Sequence, residues 1–356
     1  MQSKVVVSKA SPDRVLNDYS SLLDKFGYQK LFKKEDDIVL KLNLSWSLYF
    51  PSCSTEPWQL DGVVKKFLDD GYKNLIPVEN KTVVTNPLKG SKLNKWDNIF
   101  NKYNLKFQPL TDVAWVKYNP KFDMLALDKI FPDGFSIPEM FIGKPVVHLP
   151  TMKTHGHTIM TGAMKNAFGG LLRERRHHSH KMIHEVLVDL LSIQKEIHPS
   201  IFAVMDGTVC GDGAGPRTMV PVVKDYILCS DDQVAIDAIS AKMMGFDPMK
   251  IDFIKMAHDR GLGVGDVDQI DIVGEDISNV NFGFTTGKSP VVFWDQMFRK
   301  GPLKFLEKLI FHTPLFKVPI FLSGFYHDYI WYNMIGKKRI DEFSKTKWGK
   351  LFFSYK

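Results

Sequence analysis

Cysteine is scarce in this sequence of 356 residues, which contains only Cys53, Cys210 and Cys229. Three cysteines so far apart exclude a disulfide framework, and they do not form the ligand set of an iron–sulfur cluster. No such cluster is expected, and a reducing cytoplasm is the expected location. Long apolar runs are missing too, because none reaches the ~18 residues of a membrane-spanning helix. The first residues lead directly into a predicted strand and do not resemble a signal peptide.

Charge is not balanced between the two signs. The 47 Lys and Arg residues outnumber the 40 Asp and Glu residues, which gives a formal net charge of +7. A basic protein attracts anionic partners, whether a small molecule, a nucleic acid or a membrane surface, and charge alone does not select among them. The hydrophobic share of 44% and the charged share of 24% are typical of a soluble globular protein.

Short apolar runs alternate with helical patterns along most of the chain. Strands are predicted at residues 37–44 and 75–79, with a helix over residues 58–68 between them. A strand followed by a helix-sized crossover and a second strand indicates a parallel βαβ unit. The sequence therefore predicts an α/β protein with a mainly parallel sheet and helices on both faces. We expect this domain over residues 1–284 and a C-terminal helical extension, rich in aromatic and basic residues, over residues 285–356.

Residues 147–181 hold six of the 11 histidines together with several basic side chains. A buried strand is predicted to end just before residues 151–157, which are then expected to form the loop at its exit. Ligands of α/β proteins bind at such strand exits. We therefore expect Lys153, Lys165 and Asn166 to converge on a carboxylate, a phosphate or a metal-bound ligand.

A helix is predicted after this loop from apolar residues at helical spacing. Thr158 or Thr161 is the expected N-cap, and Gly169 with Gly170 is expected to end the helix. Lys165 then falls in the last turn among apolar neighbours, where a lysine usually needs a partner. An alternative to ligand binding stays open, because Lys165 in that position would also cap the carbonyl groups at the helix end.

The dense histidines also suggest a metal site. His155, His180 and Asp206 are the candidate ligands, but no fixed motif such as H-E-x-x-H accompanies them. A divalent metal therefore stays open as a cofactor. The basic run over residues 173–180 has an alternative interpretation as a solvated surface loop.

Polar residues also occur near the end of another predicted strand. Lys41 and Asn43 alternate with apolar residues in the strand at residues 37–44. Because parallel strands bring their C-terminal ends to one edge of a sheet, Lys41, Asn43, Lys153, His155 and Asp206 are expected to line one cleft. The alternative is that Lys41 lies at the rim of an edge strand.

A second cluster of candidates lies further along the chain. Asp206 ends a predicted buried strand and is followed by a glycine-dense loop that contains Gly213 and Gly215. Glycine lets backbone amide groups approach a ligand closely, although a long turn between strands would need the same residues. Asp237 lies among apolar residues inside a predicted helix, where a carboxylate is unusual.

Three segments of the chain, HLPTMKTHGHTIMTGAMKNAFGG, MDGTVCGDGAGP and CSDDQVAIDAISAKMMGFDP, resemble the DUF362 family of uncharacterised proteins. The matching residues are Lys41, Asn43, Lys153, His155, Thr161, Gly162, Lys165, Asn166, Phe168, Gly169, Asp206, Gly213, Gly215, Pro216, Asp232 and Asp237. The resemblance implies no established reaction. Fusion of some members to ferredoxin-like cysteine clusters suggests redox or metallocofactor work, but this chain lacks those cysteines.

These observations predict an enzyme that acts on an anionic small molecule in a cleft at the strand ends. His155, Asp206 and Asp237 are the expected catalytic residues, in an acid–base or metal-assisted step. The expected ligand-binding residues are Lys41, Asn43, Lys153, Thr161, Lys165, Asn166, Gly213 and Gly215. The alternative is a non-catalytic metal- or anion-binding accessory protein that works with a redox partner.

Aromatic residues and lysines are interleaved in the C-terminal extension from about Lys288 onwards. Such a segment either packs on the main domain or contacts a membrane surface. Nucleic-acid binding by stacking is not expected, because nothing else in the chain supports it. We expect residues 331–348 to pack partly on the domain and to leave a basic aromatic face exposed. The cytoplasmic protein would then associate with a membrane through this extension.

Overall fold

A computed structural model describes residues 3–82, 84–311 and 313–356, with the backbone alone for residues 174–177. It contains a ten-stranded sheet and a separate two-stranded antiparallel sheet, β5–β6. The strands are β1 (Ser3–Lys9), β2 (Ile38–Lys41), β3 (Leu75–Glu79), β4 (Gln108–Pro109), β5 (Trp115–Tyr118), β6 (Phe135–Pro138), β7 (Val146–His148), β8 (Thr151–His155), β9 (Ile159–Thr161), β10 (Ile201–Ala214), β11 (Thr218–Ser230) and β12 (Ile270–Gly274).

The strand order of the large sheet is β12-β1-β11-β10-β7-β2-β3-β4, with β8 added to β10 and β9 added to β8. Pairing is parallel from β10 through β7, β2 and β3 to β4. It is antiparallel where β11 joins its two neighbours. The sheet is therefore mixed but mostly parallel, which confirms the predicted α/β class.

Helices cover both faces of this sheet. They are α1 (Val15–Phe26), α2 (Pro57–Asp69), α3 (Pro87–Leu93), α4 (Trp96–Lys102), α5 (Leu127–Ile130), α6 (Ala163–Leu171), α7 (Ile183–Ile197), α8 (Gln233–Met244), α9 (Asp252–Asp259), α10 (Pro290–Arg299), α11 (Glu307–Phe311), α12 (Lys317–Gly324), α13 (Lys337–Ser344) and α14 (Lys347–Ser354), with a π-helix at Phe325–Gly336. One hydrophobic core contains residues of α6, α7, α8 and α9. A second core, on the other face, contains residues of α1, α2, α4 and α14.

The prediction of a loop at residues 151–157 is wrong for most of that segment. Thr151–His155 is strand β8, which pairs with both β10 and β9. Helix α6 consequently begins later than predicted, at Ala163, and neither Thr158 nor Thr161 is its N-cap. Hydrogen bonds to neighbouring strands override the polar composition of this segment, and composition alone does not reveal such partners.

The predicted glycine loop is also part of the sheet. Strand β10 continues to Ala214, so Gly211 and Gly213 lie in a strand that returns directly as β11. A Cβ atom at Gly211 would overlap the sulfur of Met219, and one at Gly215 would overlap the carbonyl oxygen of Thr154. These two glycines are therefore needed for close packing between neighbouring segments.

Gly169 and Gly170 do not end helix α6, which continues to Leu171. A Cβ atom at Gly170 would lie 3.1 Å from Lys41 Cε, and one at Gly169 would lie 3.4 Å from Lys41 Nζ. The two glycines thus let the helix approach the end of β2 closely. The requirement comes from a residue more than 100 positions away, so local propensity could not indicate it.

The C-terminal extension is anchored by aromatic side chains. Trp348 is buried, its ring centroid lies 4.9 Å from that of Trp58, and its Nε1–H donates to Asp225 at 2.6 Å. Trp331 is also buried and packs edge-on against Phe50. Residues 331–348 therefore pack partly on the main domain, as the sequence predicted. The domain division at residue 284 stays a prediction.

No single helix in the described part of the chain is both long and apolar enough to cross a bilayer. The segments Lys304–Phe311 and Pro314–Ser344 meet a length-and-composition criterion only when taken together, and they are bent by 92° at the break between them.

Candidate functional site

A cavity of about 750 Å³ lies between the strand ends of the sheet and the C-terminal extension. Lys41, Asn43 and His155 line it from β2, the segment after β2, and β8. Thr161, Lys165 and Asn166 come from β9 and α6, and Gly215 from the turn after β10. Helices α10 to α12 and the π-helix cover the opposite side. With His180, a predicted metal ligand that also lines it, eight of the residues predicted from the sequence share one cavity.

Lys41 ends strand β2 and forms a buried ion pair. Its ammonium group lies 3.0 Å from both carboxylate oxygens of Glu79, at the end of the adjacent strand β3. Both side chains line the cavity. The parallel register places Lys41 beside Val78, so two neighbouring strand ends supply one positive and one negative group. The alternative that Lys41 lies at the rim of an edge strand is wrong, because β2 pairs with a strand on each side.

Lys153 does not line the cavity, contrary to expectation. Its fully buried ammonium group donates to Asn43 Oδ1 at 2.5 Å, Thr151 Oγ1 at 2.6 Å and the carbonyl oxygen of Cys53 at 2.8 Å. Burial lowers the pKa of Lys153 to about 8, although the nearby Cys53 and Glu56 act in the opposite direction. With three acceptors, Lys153 is a positioning residue that fixes Asn43 and β8 beneath the cavity floor.

Asn166 connects this buried network to a histidine. Its Nδ2 donates to the Lys41 carbonyl oxygen at 3.0 Å and lies 3.3 Å from Nδ1 of His148. The Nε2 of His148 is 2.7 Å from Oε1 of Gln194, which requires Nε2 to carry the proton. Burial lowers the pKa of His148 to about 3. His148 is therefore neutral, and the polar floor is held by neutral hydrogen bonds as well as by the Lys41–Glu79 pair.

His155 is buried at the cavity wall and has a defined tautomer. Its Nδ1 accepts a hydrogen bond from the backbone N–H of His157 at 3.1 Å, so a neutral His155 carries its proton on Nε2. Burial, followed by the positive charge of Lys165 and the neighbouring His157 and His180, holds the pKa of His155 well below its usual range. His155 is thus a neutral hydrogen-bond donor near neutral pH.

Two more histidines extend this wall of the cavity. The rings of His157 and His180 stack with centroids 5.1 Å apart, and both line the cavity. The Nε2 of His157 is 3.7 Å from a carboxylate oxygen of Asp295, and burial lowers the pKa of His157 to about 4. Sequence spacing identified the histidine cluster but not its carboxylate partner, which lies in the extension.

Asp206 points away from the cavity, which corrects the expectation that it acts there. Successive strand residues face opposite sides of a sheet, and Asp206 shares its side with the core under α1 and α2. Its carboxylate accepts from the Tyr19 hydroxyl at 2.7 Å and from Trp58 Nε1–H at 2.9 Å. It also accepts the backbone N–H of Thr208 at 3.0 Å. Asp206 therefore stabilises the fold and is not in place for acid–base catalysis in the cavity.

Asp237 likewise stabilises the fold, because its carboxylate caps a helix. Its two carboxylate oxygens accept the backbone N–H groups of Ala163 and Met164, at 2.6 and 3.1 Å, and so cap helix α6 from helix α8. A Cβ atom at Gly162 would overlap this carboxylate, which explains the glycine at that position. Asp237 does not line the cavity, so the expected catalytic role is not supported by its position.

The metal candidates are not brought together. His155 and His180 line the cavity, whereas Asp206 is hydrogen-bonded on the other side of the sheet. Among the described residues, no three His, Cys, Asp or Glu side chains are arranged to hold a metal ion.

The two predicted glycines differ in position. Gly215 lines the cavity, whereas Gly213 adopts a φ of +96° outside it and pairs with Thr286 of the segment that leads to the extension. Thr161 lines the cavity, and its buried Oγ1 has no hydrogen-bond partner in the described part of the chain. Lys165 also lines the cavity, with its ammonium group 5.3 Å from the centroid of the Phe168 ring.

Two arginines of the cavity were missed by the sequence interpretation. Arg217 follows the Gly215-Pro216 pair, and its Nε–H donates to the Ser45 carbonyl oxygen at 3.1 Å. Arg299, from helix α10, is only 3% exposed and binds Asp295 through Nε. The position of Arg217 beside the glycine motif was a usable signal. The spacing of Asp295 and Arg299 predicts a helical ion pair but not its contact with a distant cavity.

The charged side chains of the cavity do not cancel. Among the described residues, the cationic members are Lys41, Lys165, Arg217 and Arg299, and the anionic members are Glu79 and Asp295. The described lining residues thus have a formal charge of +2 when their histidines are neutral.

These features define an α/β protein with a basic, partly covered cavity at the ends of its parallel strands. The profile of the DUF362 family, described as a domain of unknown function, matches residues 38–242, which is more than half of the chain. The chain therefore belongs to the DUF362 family. The match includes every cavity residue that the strands, α6 and the β10–β11 turn supply, but none from the C-terminal extension.

Other known proteins give no function that could be compared with this site. No curated protein sequence matches the chain. The crystal structure of a Thermotoga maritima protein, a target of the Northeast Structural Genomics Consortium, is similar at 11% identity with a TM-score of 0.43. The similarity covers 70% of this chain, and the chain spans 59% of the length of that protein.

We predict that His155 stays neutral, as the Nε2–H tautomer, from about pH 6 to pH 8, because its pKa is held well below the ordinary value of about 6.5. Histidine ¹⁵N resonances followed across this range would report both properties. The unfolded chain protonates this ring more readily than the folded chain, so its contribution to stability is complete above about pH 6.5 and is lost as the pH falls below that value.

The same resonance measured in denaturant is the control and should titrate near the ordinary value. A titration midpoint within the range in the folded protein, or an Nδ1–H tautomer, would contradict the assigned hydrogen bond.

Proposed function

We propose that the cavity binds an anionic small molecule. The observation that carries this proposal is the nearly inaccessible guanidinium of Arg299 at the cavity, whose two Nη groups have no acceptor among the described residues. Buried charge is costly unless a partner of opposite sign neutralises it. An anion between the strand ends and the extension would supply acceptors for these Nη groups.

Arg299 provides the strongest support. Its guanidinium is nearly inaccessible and lies 3.9 Å from the centroid of the Phe311 ring, and its Nε is engaged by Asp295. Of the three guanidinium nitrogens of Arg299, only Nε forms a hydrogen bond to another described residue. The two Nη groups are therefore left to bind a carboxylate or phosphate, for which the planar guanidinium is well suited.

Neutral donors would complete the recognition of such an anion. Thr161 contributes a buried hydroxyl that has no partner among the described residues, and His155 contributes Nε2–H. Cationic groups together with neutral N–H and O–H donors are the combination that proteins use for oxyanions. The anionic group should therefore lie near the strand ends.

If the bound anion is also converted chemically, His155 is the residue best placed to take part. A neutral imidazole that donates from Nε2 stabilises negative charge developing on a substrate oxygen, and it does so without first losing a proton. This role differs from the acid–base pair of His155 with Asp206 or Asp237 that the sequence suggested. An accessory protein that only holds the anion would use the same cationic groups but would not need His155.

We predict that Lys165→Met and Arg299→Gln each weaken anion binding by about tenfold or more, because each removes a charge-assisted interaction worth roughly 1.5–3 kcal/mol. Isothermal titration with inorganic phosphate, pyrophosphate and acetate at constant ionic strength measures this effect. Thermal unfolding without ligand shows whether each variant is folded.

Lys308→Met is the matched control, because Lys308 is an exposed lysine of the same extension outside the cavity. It should bind like the wild type. Failure of all three anions to bind the wild-type protein, or an equal loss in the control, would contradict the proposal.

A further inference from the structure

The two sides of the cavity differ in chemistry. The side formed by the strand ends carries Lys41, Glu79, Lys165 and the histidines. The side formed by the extension is mostly apolar, with Phe298, Phe316 and Ile320 among its members. Its charged pair, Asp295 and Arg299, adjoins His157 of the strand-end side. This contrast means that a ligand filling the cavity meets charge at one end and hydrocarbon at the other.

The size of the cavity adds to this argument. Its volume of about 750 Å³ is that of a site for a drug-sized ligand. A phosphate or carboxylate group would occupy only a small part of it. Hydroxyl or amide groups in the remaining space would mostly face aromatic and aliphatic side chains, where polar groups without hydrogen bonds are costly. An apolar chain or ring system has no such cost.

We propose that the ligand is an anionic amphiphile, with its charged group at the strand ends and its apolar part beneath the extension. This inference rests on the proposed anion-binding function and adds the chemical class of the ligand. It also assigns a role to the extension, whose apolar side chains contact the hydrophobic part of the ligand. Transfer of each buried methylene from water is favourable by about 0.8 kcal/mol.

The test is a series of alkyl phosphates from methyl to octyl, measured below their critical micelle concentrations by isothermal titration. Affinity should rise by about three- to fourfold for each added methylene, because each one is buried against the apolar side. Octanol should bind far more weakly than octyl phosphate, since it lacks the charge.

Two neighbouring residues of helix α12 provide a matched pair of variants. Ile320 lines the cavity, whereas Phe321 is 69% exposed and does not. Ile320→Ser should reduce the dependence on chain length and weaken octyl phosphate binding by about tenfold, while Phe321→Ser should leave both unchanged.

The outcomes separate this inference from the proposed function. Binding of inorganic phosphate with no gain from the alkyl chain would overturn the amphiphile and leave the anion site intact. Binding of octanol as tight as that of octyl phosphate would also overturn it. If neither phosphate nor any alkyl phosphate binds, both proposals fail. The dependence of affinity on alkyl-chain length in the wild-type protein tests the amphiphile proposal even if Ile320→Ser does not fold.

A separate observation concerns the outer face of the extension. Large apolar side chains of the extension are exposed, including Phe305 at 77%, Met334 at 73%, Phe321 at 69% and Tyr329 at 68%. None of these four lines the cavity. The rings of Phe321 and Tyr329 both stack on Phe325, so these three form a continuous surface. An exposed apolar surface of this kind on a protein usually marks an interaction site.

The charge of this face indicates the partner. Residues 288–338 contain eight Lys or Arg and three Asp or Glu residues. Each acid is already engaged: Asp295 with Arg299, Glu307 with Lys181, and Asp328 with Trp46. Lys304 and Lys317, which are close in sequence to Phe305 and Phe321, are exposed and are not paired with these acids. Aromatic residues flanked by lysines fit the interface of a bilayer that contains anionic lipids.

We propose that this outer face, which we call the docking face, binds the surface of an anionic lipid bilayer. Leu322 and Phe325 link it to the cavity, because both line the cavity and both are about half exposed. The cavity would then open close to the lipid phase, from which an amphiphile could enter.

Vesicle co-sedimentation tests this docking, with phosphatidylcholine alone or mixed with phosphatidylglycerol. Binding should be several-fold stronger to the anionic vesicles and should fall with rising salt. Phe321→Ser and the pair Lys304→Gln/Lys317→Gln should each reduce it several-fold. Leu88→Ser, which changes a residue 60% exposed on the main domain, is the matched control and should have no effect.

Equal recovery with neutral and anionic vesicles would overturn this second proposal, as would unchanged binding by Phe321→Ser. Sedimentation velocity without lipid provides the other check. A stable dimer that Phe321→Ser dissociates would assign the docking face to a second copy of the chain instead of a membrane.

Discussion

The buried ammonium group of Lys153 is the constraint on which the site depends. A cation in this position needs acceptors on every side, and it obtains them from Asn43, Thr151 and the Cys53 carbonyl oxygen. These contacts join β8 to the segment after β2 and to the following loop. Asn43 in turn contacts Asn166 of helix α6. The cavity floor is thus a single hydrogen-bonded network, in which Lys153, outside the cavity, positions the lining residues Asn43 and Asn166.

The C-terminal extension contributes both a charged pair and apolar side chains to the cavity. At the strand ends, Lys41 and Glu79 form an ion pair, and His155 and His157 are neutral near pH 7. These four side chains therefore add no net charge to the cavity. Arg299 of the extension adds a nearly inaccessible cation held by Asp295. The family profile ends before this part of the chain. The family domain therefore supplies most of the polar groups of the cavity, whereas the extension supplies the Asp295–Arg299 pair and most of the apolar side chains.

Sequence reasoning predicted the common edge of the sheet but not the direction of each side chain. Parallel strands bring their ends together, which is why Lys41, Asn43, Lys153, His155 and Asp206 were expected to line one cleft. Lys41, Asn43 and His155 do line it. Asp206 was assigned wrongly because the alternation along β10 turns it toward Tyr19 and Trp58. The roles of Gly170 and Asp237 depend on contacts with distant elements, as does the place of Arg299. No local pattern indicates such contacts.

One ligand is proposed to span both sides of the cavity, and a crystal structure of the protein with octyl phosphate would show whether it does. We expect a phosphate group in hydrogen-bond contact with Lys165 Nζ and an Nη of Arg299, and an alkyl chain against Phe298, Phe316 and Ile320. A phosphate bound elsewhere, or an alkyl chain that leaves the cavity for solvent at the strand ends, would contradict it.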